Sequence, residues 1–295
     1  MRAPPQLRDE ALVAALDDAT AGKRTRLFDL LAIASGLPGE RANLTLAQAF
    51  ANACAGKKKK ADDLVFAMAT LDARTAPGAT SREFLPVCGI LALGERAAAD
   101  KSIRERALAV LHDAAEDPRF RVRKVVPTAL ARIGAEMGDE LLQAVEHWMN
   151  GYFQAAAVLL AMCDSRWLGK LRGDDYYLPV IRIDQGLTLI KHAPRAAARY
   201  PGFKALLEVL GTAPATLGTH FGLPVFDRLV SWTECDMPEI RDAIRKNLKD
   251  KRLVGRWSDQ FERVRHWLEQ NEKPPRDPTR IVHGMRGRGK KRGGC

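Results

Sequence analysis

The chain lacks the residues from which a covalent or metal-held framework is made. Its five cysteines, Cys54, Cys88, Cys163, Cys235 and Cys295, are far apart, odd in number and contain no Cys-x-x-Cys. That spacing argues against a disulfide scaffold or a thiolate metal site and suits a reducing cytoplasm. The six histidines (His112, His147, His192, His220, His266 and His283) are dispersed, with no His-x-x-x-His, so no metal is expected. There is no Gly-x-Ser-x-Gly, no phosphate-binding P-loop and no paired-carboxylate motif, and hence no cofactor and no evident catalytic machinery. No apolar run approaches the ~18 residues that span a membrane, and the start, Met1-Arg2 with Pro4-Pro5, has no signal-peptide core. Val, Ile and Thr nowhere alternate with polar residues for long, which leaves no sheet to predict.

Alanine and leucine, both strong helix formers, dominate what is there, and a 46% hydrophobic content is ample for a continuous core. Apolar spacing with Gly and Pro stops predicts helices over 5–20, 24–35, 44–55 and 61–73. A further one is capped by Ser81, and more cover 102–115, 122–134, 139–150, 152–163 and 176–191. The last predicted helices are 202–210, 223–234, 238–249 and 258–271, with 166–175 a longer loop or broken helix. Two segments read alike. Asp117-Pro118-Arg119-Phe120-Arg121-Val122-Arg123-Lys124 runs into Val125, Val126, Ala129, Leu130 and Ile133; Asp236-Met237-Pro238-Glu239-Ile240-Arg241-Asp242 runs into Ala243, Ile244 and Leu248. Each is an acidic turn, an apolar–Arg pair and apolar residues at helical spacing. The matched Val122 and Ile240 are separated by about three units of roughly 40 residues, the period of stacked helical hairpins.

The Asp117–Ile133 unit resembles a HEAT repeat. That resemblance implies an all-α fold over residues 1–272, a right-handed superhelix of antiparallel helical hairpins in which the second helix of each pair lines the concave face. It also implies structural roles for Asp117 and Asp236, as caps, and for Arg123 and Arg241, bonding turn groups of a neighbouring unit. The run from Ile240 to Leu253 looks similar in style to the C-terminal repeats of the bacterial HEAT-like DNA glycosylases of alkylation repair. Those enzymes carry a basic concave face, and place an Asp and tryptophans on it. The grouping here that could answer to that set is Asp164 near Trp167, with Trp148 in the preceding helix.

The charge of +11 is uneven. Residues 273–295 hold eight basic residues against one acid, so +7 lies there and +4 in residues 1–272. This Gly/Arg/Lys-rich segment has almost nothing to bury and is expected to be a disordered tail. Its Arg286, Arg288, Lys290, Lys291 and Arg292 suit non-specific neutralisation of phosphates. In the body, Arg121 and Lys124 lie on the side of their helix away from Val122, Val125 and Val126. Arg241, Arg245, Lys249 and Arg252 form a stripe if the run from Pro238 to Leu253 is one helix. Lys57–Lys60 is a compact patch read as opening a helix, where the dipole disfavours it. Trp148, Trp167, Trp232, Trp257 and Trp267 suit packing, with Trp257 the one to watch because Arg252 and Arg256 precede it. The expectation is a nucleic-acid-binding solenoid, with DNA as the nucleic acid, using a basic concave groove and the tail. A protein-interaction scaffold without catalysis is the alternative, and an alkylation-repair glycosylase the second.

Overall fold

The computed structural model describes residues 9–172 and 177–272, with side chains at all of these except 9, 177 and 252–254. Every regular element among them is helical. The first helices are α1 (Asp9–Thr20), α2 (Thr25–Ile33), α3 (Leu44–Lys57), α4 (Asp62–Ala69) and α5 (Phe84–Ala99). A central group follows: α6 (Arg104–Ala115), α7 (Phe120–Met137), α8 (Asp139–Ala144), α9 (Tyr152–Met162) and α10 (Ser165–Leu168). The rest are α11 (Tyr177–Lys191), α12 (Pro201–Leu210), α13 (Ala213–Phe221), α14 (Leu223–Trp232), α15 (Pro238–Asn247), α16 (Lys251–Arg256) and α17 (Ser258–Gln270).

α5 is apolar nearly all round and is buried nearly all round, as such a helix must be. It packs against α3 and α4 on one side and α7 on the other. Two glycines permit the approach. A Cβ on Gly89 would collide with the backbone of α4 at Ala69, and one on Gly94 would stand 2.7 Å from the Ala129 Cα of α7. On α7, Val122, Val125, Val126, Ala129, Leu130 and Ile133 all face inward, at the spacing that predicted the helix. Substantial packing then passes from α7 to α9 and α10, from α9 to α11 and α12, from α12 to α15, and from α14 to α17. No pair drawn from α1–α5 and α11–α17 shares a substantial interface.

Several expectations need correction. Ser81 does not cap a helix: it opens a 3-10 turn, Ser81–Glu83, whose flanking Thr80 makes no side-chain cap either. The helix predicted over 139–150 ends at Ala144 and continues as a 3-10 turn, Glu146–Asn150. α13 was not predicted, because Gly211, Thr212, Pro214, Gly218 and Gly222 read as breakers. Pro214 sits in the first turn, where it costs no hydrogen bond. The run from Pro238 to Leu253 is not one helix. α15 stops at Asn247, and 248–250 turn before α16.

In the segment Asp117–Ile133 the arginine that carries the structural bonds is Arg119 rather than Arg123. Arg119, almost fully buried, donates to both Asp117 carboxylate oxygens (2.8 and 2.6 Å). It also donates to the carbonyls of Leu71 (2.6 Å), Asp72 (3.2 Å) and Ala76 (2.9 Å), just past the end of α4. Arg123, expected to reach a neighbouring unit, bonds the Asp117 carbonyl of its own turn and lies 4.5 Å from the Phe153 ring centroid. Arg241, also buried, donates to the Thr233 carbonyl (2.9 Å) at the end of α14 and to that of Leu268 in the last turn of α17. Arg182 does the same to the Leu142 carbonyl in α8 (2.8 Å). A cation at a helix C-terminus satisfies orphan carbonyls and meets the negative end of the dipole.

Candidate functional site

Lys124 and Arg121 leave adjacent turns of α7 and line one cleft of about 500 Å³. Its other wall runs from the loop before α3, with Glu40 and Arg41, into the first residues of α3, Leu44 and Thr45; Val87 of α5 and Val125 of α7 form apolar lining. Phe120, at the first turn of α7, is 63% exposed at the cleft, and Leu44 is 47% exposed. Lys124 is exposed, with its Nζ 5.8 Å from the Phe120 ring centroid, and neither it nor the exposed Arg41 has an ion-pair partner among the described residues. Arg121 differs: it is salt-bridged to the buried Glu83 (3.1 Å) and donates to the Gly39 carbonyl (3.1 Å). It ties the loop to the body, and much of its charge is spent there.

Around α15 the expected stripe is broken up. Arg241 is buried, and Arg245 is held by Asp242 (2.8 Å) and Glu272 (2.8 Å). Lys249 is exposed in the turn after the helix, without an ion pair among the described residues. The Arg252 side chain and the tail residues Arg286, Arg288, Lys290, Lys291 and Arg292 lie outside the described set. α7 and α15 share no substantial interface, so the two basic groups stay separate patches. Lys58–Lys60 forms, with Ala61, a 3-10 turn that joins the end of α3 to the start of α4 at Asp62. It meets both the C-terminus of α3, where the dipole favours cations, and the N-terminus of α4, where it disfavours them as expected. Lys57, in that last turn, pairs with Asp17 of α1.

The Asp–tryptophan grouping does not assemble. Asp164 accepts from the Arg166 backbone N–H (3.0 Å), Nε (2.9 Å) and Nη2 (2.7 Å), and the Arg166 hydrogen bonds, opposed by partial burial, hold its carboxyl below the usual range. Trp167 is fully buried, with its Nε1 donating to the Gly138 carbonyl (2.9 Å). Trp148 is fully buried too, with the His112 ring edge-on to it. No open aromatic face is left beside the carboxylate. Trp232 donates to Asp184 (2.6 Å), and Trp257 packs on Phe226 and over Gly222, with the Arg256 guanidinium 5.1 Å from its ring centroid.

Sequence reasoning missed Arg41, Leu44 and Phe120. Phe120 carried a signal in retrospect: a bulky apolar residue just N-terminal to the inward spacing of Val122 and Val125 is placed off the buried face. Arg41 and Leu44 carried none, since their position depends on how 36–43 folds back. No helix among the described residues is long and apolar enough to cross a membrane. No group of three or more metal-ligating side chains occurs among them. Comparison with protein-family models, with curated proteins and with solved structures finds no match to this chain.

Proposed function

We propose that this protein binds nucleic acid through exposed cations that have no ion-pair partner among the described residues, on a HEAT-like helical solenoid, helped by a basic tail, and without catalysis. The order of packing, each helix against near neighbours in the chain, supports the solenoid, as do the buried arginines recurring at helix ends. The observation that carries the function is the partition of the cations. Arg96, Arg119, Arg182 and Arg241 are buried in structural bonds. Arg41, Lys58, Lys60, Lys124 and Lys249 face solvent with no ion-pair partner among the described residues. Free cations on a chain of net charge +11 attract a polyanion and are available to displace its counterions.

Exposed Phe120 and Leu44 and the acidic Glu40 beside them favour a second reading, a scaffold that takes a protein partner in the cleft. Binding of a generic duplex and a single strand at two salt concentrations, for the full chain and for 1–272, separates the two. On the nucleic-acid reading, affinity falls steeply with salt, by a log–log slope of about 0.9 per duplex phosphate neutralised. Deleting 273–295 then flattens that slope. An unchanged slope removes the tail from the mechanism, and absence of any binding at low salt leaves the cleft to a protein.

A further inference from the structure

The cleft at the start of α7 is not built like a surface for a duplex backbone. Its walls are fixed before any ligand arrives. Arg121 bolts the Gly39 carbonyl to Glu83. Asn43 accepts from the Leu46 N–H as the N-cap of α3 and donates to the Ala34 carbonyl (3.1 Å each). The space enclosed, about 500 Å³, falls within the range of pockets that hold small organic groups. Its polar groups are of both signs: unpaired Arg41 and Lys124, and exposed Glu40, which has no ion pair among the described residues. A bare phosphate would gain from the two cations and lose to the carboxylate. A nucleotide satisfies all three, because its phosphates are anionic while its base presents N–H donors and a flat apolar face.

We infer that this cleft takes an unpaired base of a single-stranded nucleic acid, an inference that rests on the nucleic-acid reading above. Phe120 is the stacking platform, since every base has a π-face and aromatic stacking is the common device of single-strand binding. Arg41 and Lys124 hold the flanking phosphates, and the Lys124 ammonium, over one face of the Phe120 ring at 5.8 Å from its centroid, brings charge next to the platform. Glu40 accepts from an amino group on the base edge, which favours cytosine over thymine or uracil. A base inside a duplex is already stacked on both faces and cannot reach Phe120.

The test uses the full chain, with labelled oligo(dC), oligo(dT), oligo(rC) and a generic duplex at low salt. Phe120→Ala is expected to weaken oligo(dC) binding about tenfold or more while leaving duplex binding within twofold. Phe120→Trp should keep single-strand affinity, which guards against a folding artefact. Glu40→Ala should erase a preference for oligo(dC) over oligo(dT), and oligo(rC) against oligo(dC) tells an RNA ligand from a DNA one. Wild-type binding that Phe120→Ala leaves unchanged overturns this inference and spares the broader reading. Wild-type protein that binds no nucleic acid overturns both. An acidic peptide with one leucine that binds in a Phe120-dependent way, while oligonucleotides do not, assigns the cleft to protein and overturns it as well.

Discussion

Replacing Arg119 with alanine tests the structural reading of the repeat signature. The change removes five side-chain hydrogen bonds, two to Asp117 and three to carbonyls beyond α4. Breaking a buried ion pair by removing one partner costs about 3–5 kcal/mol, because the remaining charge is stranded. The Asp117 side chain keeps 15% exposure, which gives it some water and sets the loss at the lower end. Each carbonyl left without a donor adds about 1 kcal/mol or more unless water enters the space the side chain vacates. The Asp72 carbonyl keeps the Ala76 N–H as donor (2.9 Å), so two carbonyls are orphaned and the total is about 5 kcal/mol. At about 2–4 °C per kcal/mol for a domain of this size, Tm should fall by about 10–20 °C. Arg119→Lys keeps the charge but cannot span carboxylate and carbonyls together, so about half the loss should remain. Asp117→Ala combined with Arg119→Ala should cost less than the sum of the single changes, since the stranded carboxylate is gone. Urea unfolding followed by circular dichroism measures all three. A loss under about 1 kcal/mol for Arg119→Ala would refute the clamp.

Three further outcomes follow from packing and titration. Gly134→Ala drives a Cβ into the Trp167 ring, which Gly138 holds in place, and should cost about 1–3 kcal/mol in urea unfolding; a neutral result would mean the α7–α10 contact is looser than described. Tyr200 has its pKa raised from 10.0 to about 12, first by burial and then by its hydrogen bond to Glu116 (2.6 Å). The folded state therefore holds that proton more tightly, so the contribution to stability is full below pH 10 and is lost as pH rises toward 12. Tyr200→Phe should flatten the alkaline loss of stability across that window, and identical pH profiles would contradict it. Burial pushes the Cys54 thiol up to about 12 and Cys88 well above its ordinary value. Both should resist a thiol reagent near neutral pH until urea unfolds the chain, while the half-buried Cys163 and Cys235 react sooner; fast labelling of Cys54 in folded protein would refute it.

The helices were legible wherever apolar spacing and a stop coincided, as in α7, where every residue expected to face inward is buried, together with Pro127, Ala131 and Gly134. They were not legible where breakers lie inside a helix, as in α13, or where a turn interrupts good helix formers, as at 248–250. In each case tertiary packing overrode local preference. The arginines show a second limit. Helical spacing places Arg241 and Arg245 one turn apart but does not say which is buried. That depends on carbonyls 8 and 27 residues away, at Thr233 and Leu268. The same limit hid the pairing of Arg121 with Glu83, which leaves Lys124 as the freer cation of the two named on α7.

On the proposed reading, cations without acidic partners, not basic residues at large, make the interface. The most direct measurement is the salt dependence of oligonucleotide binding for two charge-removing variants of the full chain. Lys124→Gln is expected to weaken binding and reduce the log–log salt slope by about one unit. Arg245→Gln, which removes a guanidinium already held by Asp242 and Glu272, is expected to leave both nearly unchanged. Equal losses from the two variants, or a loss from Arg245→Gln alone, would contradict the claim.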